Sequence, residues 1–157
     1  QSFLFSGRKM TLENLAQIGK LKPHKTTREE IARLLAAVRR NLKDAHIEGI
    51  SPETRFDVAY KAIMQCALIA MMANGFRPST NEPGHHATVI QSLPKTIGLS
   101  DDRMIVLDNL RKKRNLSDYV GKDISEEEAA ACVRAADDVA AVMEKWLRAN
   151  RSDLMGQ

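Results

Sequence analysis

Two short stretches of this chain hold residues whose types and spacing can do chemistry. The first is Arg111-Lys112-Lys113-Arg114-Asn115, followed by Asp118-Tyr119. On a helix, Arg111, Arg114, Asn115 and Asp118 recur at steps of three and four and share one face. A guanidinium is a planar fork of donors that matches phosphate. Tyr119 lies a little more than one turn beyond Arg114, where its hydroxyl can orient a phosphate or an Arg, or simply pack and bond to backbone. The second stretch is Gly84-His85-His86, with Arg77 a few residues earlier. Adjacent helical side chains point about 100° apart, so this pair chelates one metal poorly. One imidazole can brace the loop, and the other can act as a general acid or base, because it titrates near neutral pH. For the basic run the opposing reading is a solvated helix end.

Other chemistries lack the residues they need. There is no P-loop, dinucleotide-binding glycine pattern, nucleophile elbow or HExxH motif, so no cofactor is expected. Cys66 and Cys132 lie far apart among apolar residues, which reads as two buried thiols of a cytoplasmic protein with no metal. Met64, Met71 and Met72 read as core filler. The net charge is +4, which suits an anionic partner and equally a mixed, solvated surface.

The elements that must position these residues are helices. Aromatic residues are only 4% of a chain rich in Ala, Leu and Met, a bias away from strands. The apolar run Ala67–Ala73 is too short to span a bilayer, so no membrane is expected. Leu12, Leu15 and Ile18 predict a first short helix within 10–20, broken at Lys22-Pro23. Thr27 with Glu30 forms a capping-box pattern ahead of Ile31, Leu34, Leu35, Val38 and Leu42, an apolar face running to near His46. Ser51-Pro52 starts a helix apolar on several faces, the expected centre of the fold, stopped by Asn74-Gly75. Residues 76–84 read as a loop. A helix begins near His85, with Pro94 bending or interrupting it. Ser100-Asp101 caps the helix that carries the basic run as far as Gly121. Ser125 with Glu128 caps the last, which carries Cys132, Ala136, Val139, Met143 and Leu147. No strand with a hairpin partner is expected. The reading is all-α: one domain over residues 10–157, an up-and-down bundle of four to five helices. Residues 1–9 read as an appended remnant or a disordered N-terminus.

Arg77-Pro78, Gly84-His85-His86, then Arg111-x-x-Arg114-Asn115-x-x-Asp118-Tyr119 and an acid-capped, Ala-rich helix together resemble the HEPN superfamily (higher eukaryotes and prokaryotes nucleotide-binding domains). The resemblance covers roughly residues 27–150. It implies a helical bundle, often a homodimer. It also implies one of two roles: a metal-independent ribonuclease of toxin–antitoxin or defence systems, or a non-catalytic partner of a nucleotidyltransferase. Catalytic members carry an Arg, often followed by Asn, and a His a few residues beyond. Arg114-Asn115 matches the first half, whereas Asp118-Tyr119 stands where the His is expected. The expected function is therefore a module that binds a nucleotide, RNA or a protein such as an antitoxin or nucleotidyltransferase. Arg77, Arg111, Arg114, Asn115, Asp118 and Tyr119 would line its site. An active ribonuclease would instead use Arg114 on the phosphate and His85 or His86 for proton transfer. A helical interaction protein with no nucleic-acid site is the third reading.

Overall fold

In the computed structural model, which describes residues 4–5, 8–81, 84–121 and 123–156, helices dominate. In chain order the elements are strands β1 (Leu4–Phe5) and β2 (Arg8–Lys9), helix α1 (Leu12–Gln17), strand β3 (Leu21–Pro23), helices α2 (Arg28–Ala45) and α3 (Pro52–Ala73), strand β4 (Phe76–Pro78), helices α4 (His85–Gln91), α5 (Leu93–Thr96), α6 (Asp101–Val120) and α7 (Glu126–Asn150), and a final 3-10 turn (Ser152–Leu154). Tyr119 and Val120 lie in α6, but their side chains fall outside the described residues.

The long helices start where side chains satisfy open backbone donors. Ser51 Oγ accepts from the Thr54 N–H, with Pro52 at the first helical position. Ser100 Oγ accepts from the Arg103 N–H. Ser125 and Glu128 close a full reciprocal box, each side chain taking the other's backbone N–H. At Thr27 only half the expected box forms. The Thr27 hydroxyl accepts from the Glu30 N–H, but the Glu30 carboxylate turns to His24 and Thr26 instead of reaching back. Helix α6 ends at Gly121, whose left-handed φ of 66° suits a residue without a Cβ.

Helix α3 is the centre. It packs along both α2 and α7, and Phe56, Ala59, Ile63, Cys66, Ile69, Ala70 and Met71 are buried. Ile31, Leu35 and Val38 of α2, and Ala136, Val139, Met143 and Leu147 of α7, complete the core. Its 22 residues make α3 long and apolar enough, by length and composition alone, to cross a membrane, and most of that stretch is buried inside the protein. A helix enclosed by other helices needs the same all-round apolarity.

Two expectations are corrected. Leu21–Pro23 and Phe76–Pro78, expected as a break and a loop, pair antiparallel, with Lys22 opposite Arg77. The partners lie far apart in sequence, so only the packed helices bring them together. Leu4–Phe5 pairs antiparallel with Arg8–Lys9. The described residues also hold seven α-helices rather than four or five, because short α1, α4 and α5 accompany the four long helices. Proline marks one such division: the helix from His85 stops at Gln91, Ser92 Oγ donates to the Thr88 carbonyl, and α5 restarts with Pro94 in its first turn.

Candidate functional site

One flank of α3 is not covered by α2 or α7. Tyr60, Met64, Leu68 and Met72, four residues apart, form a stripe there, with Lys61 and Gln65 beside it. Together they floor a cavity of about 480 Å³. Strand β4 contributes Arg77 and Pro78, α4 contributes His85, His86 and Val89, and α6 contributes Arg114. Glu30 from the start of α2 and His24 from the loop before it, next to β4, complete the rim. The walls are mostly apolar, with charged groups at the edges, the usual build of a small-ligand pocket.

Arg114 is held in an unusual way. Its guanidinium carbon lies 5.1 Å from the centre of the Tyr60 ring, a cation–π contact. Its Nε stands 3.8 Å from Asp57 Oδ1 and 3.8 Å from Asp118 Oδ2, close enough for attraction and too far for hydrogen bonds. That buried Nε has no hydrogen-bond partner among the described residues. Burial pushes the Asp57 carboxyl above its usual range, against the pull of Arg114. Beside this group, Tyr60 Oη and His86 Nδ1 lie 3.4 Å apart, and the His85 and His86 rings meet edge-on with centres 4.8 Å apart. Burial lifts the Tyr60 phenol to about 12, so it stays neutral. Burial, then the charges of His85, Arg114 and Arg111, push His86 below its usual value. A neutral imidazole at neutral pH is a proton acceptor.

The basic run divides by helical geometry. Arg111 Nε donates to Asp108 Oδ1 at 2.8 Å, and Asp108 also accepts from Gln91 at 3.2 Å. Burial raises the Asp108 carboxyl, but the bond and charge of Arg111 outweigh it and hold the group below its usual range. Lys113 pairs across to Glu128 of α7 and pulls that carboxyl down to about 2. Lys113 thus ties α6 to α7, Arg111 is engaged within α6 by Asp108, and Arg114 alone of the run lines the cavity.

Of the residues singled out in the sequence, Arg77, His85, His86 and Arg114 converge on one cavity. Arg111 is placed elsewhere, in its ion pair with Asp108. Asn115 is exposed and does not line the cavity, and Asp118 reaches it only through Arg114. The side chain of Tyr119 lies outside the described residues. Sequence reasoning missed Tyr60, Lys61, Gln65, His24 and Glu30; Met64 and Met72, read as core filler, do pack in or against the core and line the cavity as well. A phenol within an otherwise apolar helix stripe was the available signal for Tyr60, because a buried hydroxyl needs a partner. Among the described residues no group of three or more His, Cys, Asp or Glu is placed to hold a metal ion.

Comparison with protein-family models, with curated protein sequences and with solved structures gives no match to this chain.

Proposed function

We propose that this chain is a HEPN-type module that binds a phosphate-bearing ligand, a nucleotide or single-stranded RNA, in the cavity between α3, α4 and α6, with little or no catalysis. The observation that carries the reading is Arg114: stacked on Tyr60, with a buried Nε lacking a partner, at a cavity that Arg77, Lys61, His85 and His86 also line. A fork of donors without strong local acceptors is what a phosphate oxygen can use. In this reading α2, α3, α6 and α7 are the helices of the HEPN-like bundle. The protein acts in the cytoplasm, in a toxin–antitoxin or defence setting, alongside an antitoxin or a nucleotidyltransferase.

The test is fluorescence anisotropy with a labelled single-stranded RNA in chelator. A phosphodiester keeps its single charge across the titration, so any pH response belongs to the protein. His86 is held neutral in the free protein and gains charge as pH falls, so affinity is expected to rise from pH about 8 to about 5.5. Added salt should weaken binding. Binding that ignores both pH and salt, or no binding by a folded protein, leaves the plain interaction module.

A second reading, a metal-independent ribonuclease, is favoured by one observation: His85 and His86 line the same cavity as Arg114. There a neutral His86 would take the 2′-hydroxyl proton while the 2′-oxygen attacks phosphorus. The leaving 5′-oxygen would gain a proton from His85, and Arg114 would offset the phosphorane charge. Metal-free cleavage lost in both Arg114→Ala and His86→Ala would establish this reading over the first.

We also propose a homodimer that buries α6, on whose outer side Ile105, Val106 and Leu116 are about half exposed (51%, 52% and 49%). Light scattering at tens of micromolar is expected to show a dimer, and a monomer would refute the pairing.

A further inference from the structure

Arg114 and Glu30 stand towards different ends of the cavity, with Arg77 and His24 on the Glu30 side. Tyr60 and Met72 are twelve residues apart on α3, about 18 Å along the helix axis. Arg114 sits over Tyr60 at one end of that floor. The other end is set by the loop before α2, where the His24 N–H donates to the Gly75 carbonyl just past the end of α3. From there His24 Nε2 reaches Glu30 Oε1 at 2.7 Å, and Thr26 Oγ1 donates to the same oxygen at 2.7 Å. The bond between Asn41 and Gln65 at 2.9 Å gives the register of α2 against α3 and is consistent with this placement.

Glu30 is thus a built acceptor. Both of its bonds fall on Oε1, and among the described residues no hydrogen bond reaches Oε2. The hydrogen bond from His24, then that from Thr26, hold its carboxyl below the usual range, so it accepts and does not donate at neutral pH. Along α3 between the two ends lie the apolar side chains of Met64 and Leu68, and Val89 of α4 also lines the cavity. Such walls suit the faces of an aromatic ring, and methionine sulfur adds to the contact.

Resting on the nucleotide or RNA reading above, we infer that Glu30 selects the base: the cavity takes a phosphate-bearing ligand whose aromatic ring presents an exocyclic amino group, in preference to one with a carbonyl there. A single available carboxylate oxygen matches one N–H donor, as a carboxylate accepts from the amino group of cytosine. A carbonyl at the same position sets oxygen against an ionised oxygen, and the acceptor is left unpaired.

Short oligocytidylate and oligouridylate of equal length test this. They carry the same phosphates and differ on the ring at position 4, amino against oxo, and at N3, an acceptor in cytosine and an N–H in uracil, so equal binding would mean that Glu30 does not read the position-4 group. The full-length protein is expected to bind oligocytidylate about tenfold more tightly by anisotropy. Glu30→Gln, whose amide both donates and accepts, is expected to bring the two affinities to within about twofold of each other while circular dichroism stays unchanged. Equal binding of the two oligomers by the unaltered protein, with both weakened by Arg114→Ala, overturns the selection and leaves the phosphate-binding reading standing. A preference that survives in folded Glu30→Gln also overturns the role of Glu30. Failure of the unaltered protein to bind either oligomer removes both the selection and the reading it rests on.

Discussion

Arg114→Ala is expected to weaken binding of single-stranded RNA by about 10- to 100-fold, the loss for a charge-assisted hydrogen bond to phosphate. Arg114 is replaceable without loss of the fold. Its side chain is about one-third exposed (34%), its carboxylate contacts are too long for hydrogen bonds, and it makes no capping bond. Partly exposed pairs of this kind contribute little to stability. The slope of affinity against salt should flatten in the variant, because one phosphate contact is gone. Arg114→Lys keeps the charge but loses the planar fork and its stacking on Tyr60, so it should recover only part of the affinity. Anisotropy titrations at two salt concentrations check this. Unchanged affinity in Arg114→Ala would remove Arg114, and with it the cavity, from the binding account.

Ile63→Ala is expected to lower stability by about 2–5 kcal/mol, a large part of the roughly 5–15 kcal/mol that holds a domain of this size. Ile63 is fully buried on α3, the helix along which both α2 and α7 pack. Truncation leaves a void that two helices would have to move together to close. Urea unfolding followed by circular dichroism should show a lower midpoint with an unchanged slope. Ile63 is not on the Tyr60–Met64–Leu68–Met72 stripe, so the folded fraction should still bind RNA. A loss below about 1 kcal/mol would mean that this part of the core yields easily and that α3 is not the clamped centre.

Sequence patterns were most informative where the forces are local. Ser51-Pro52, Ser100 and Ser125 predict helix starts because their side chains bond N–H groups only a few residues away, and each does so in the structure. The apolar spacing Ile31–Leu35–Val38 identifies a buried face because helical geometry alone aligns it, and all three are buried. Glu30 shows the limit of that logic. Thr27 and Glu30 spell a capping box, yet the carboxylate takes His24 and Thr26, since two side-chain donors from the preceding loop outcompete one backbone N–H. That loop is held in place by β3 pairing with β4, a contact between segments about 50 residues apart, which no local pattern encodes.

By itself, then, the sequence determined the helical character, most helix starts and ends, and four of the residues that converge on the cavity: Arg77, His85, His86 and Arg114. Residue type and short-range spacing suffice for the helix starts, which follow from capping bonds, and they mark those four side chains as able to do chemistry without bringing them together. Only the tertiary structure decided how the basic run divides. Arg111 and Arg114 share a helical face in projection, but Asp108, itself bonded by Gln91 of α4, stands within reach of the first, and Tyr60 lies under the second. The same holds for Tyr60, Met64 and Met72, whose apolar spacing is that of any buried stripe. They line a cavity because α2 and α7 occupy the other sides of α3, while α4, α6 and β4 meet the remaining flank without filling it. Periodicity shows that a face is apolar, and the arrangement of the neighbouring helices decides whether side chains or a ligand cover it.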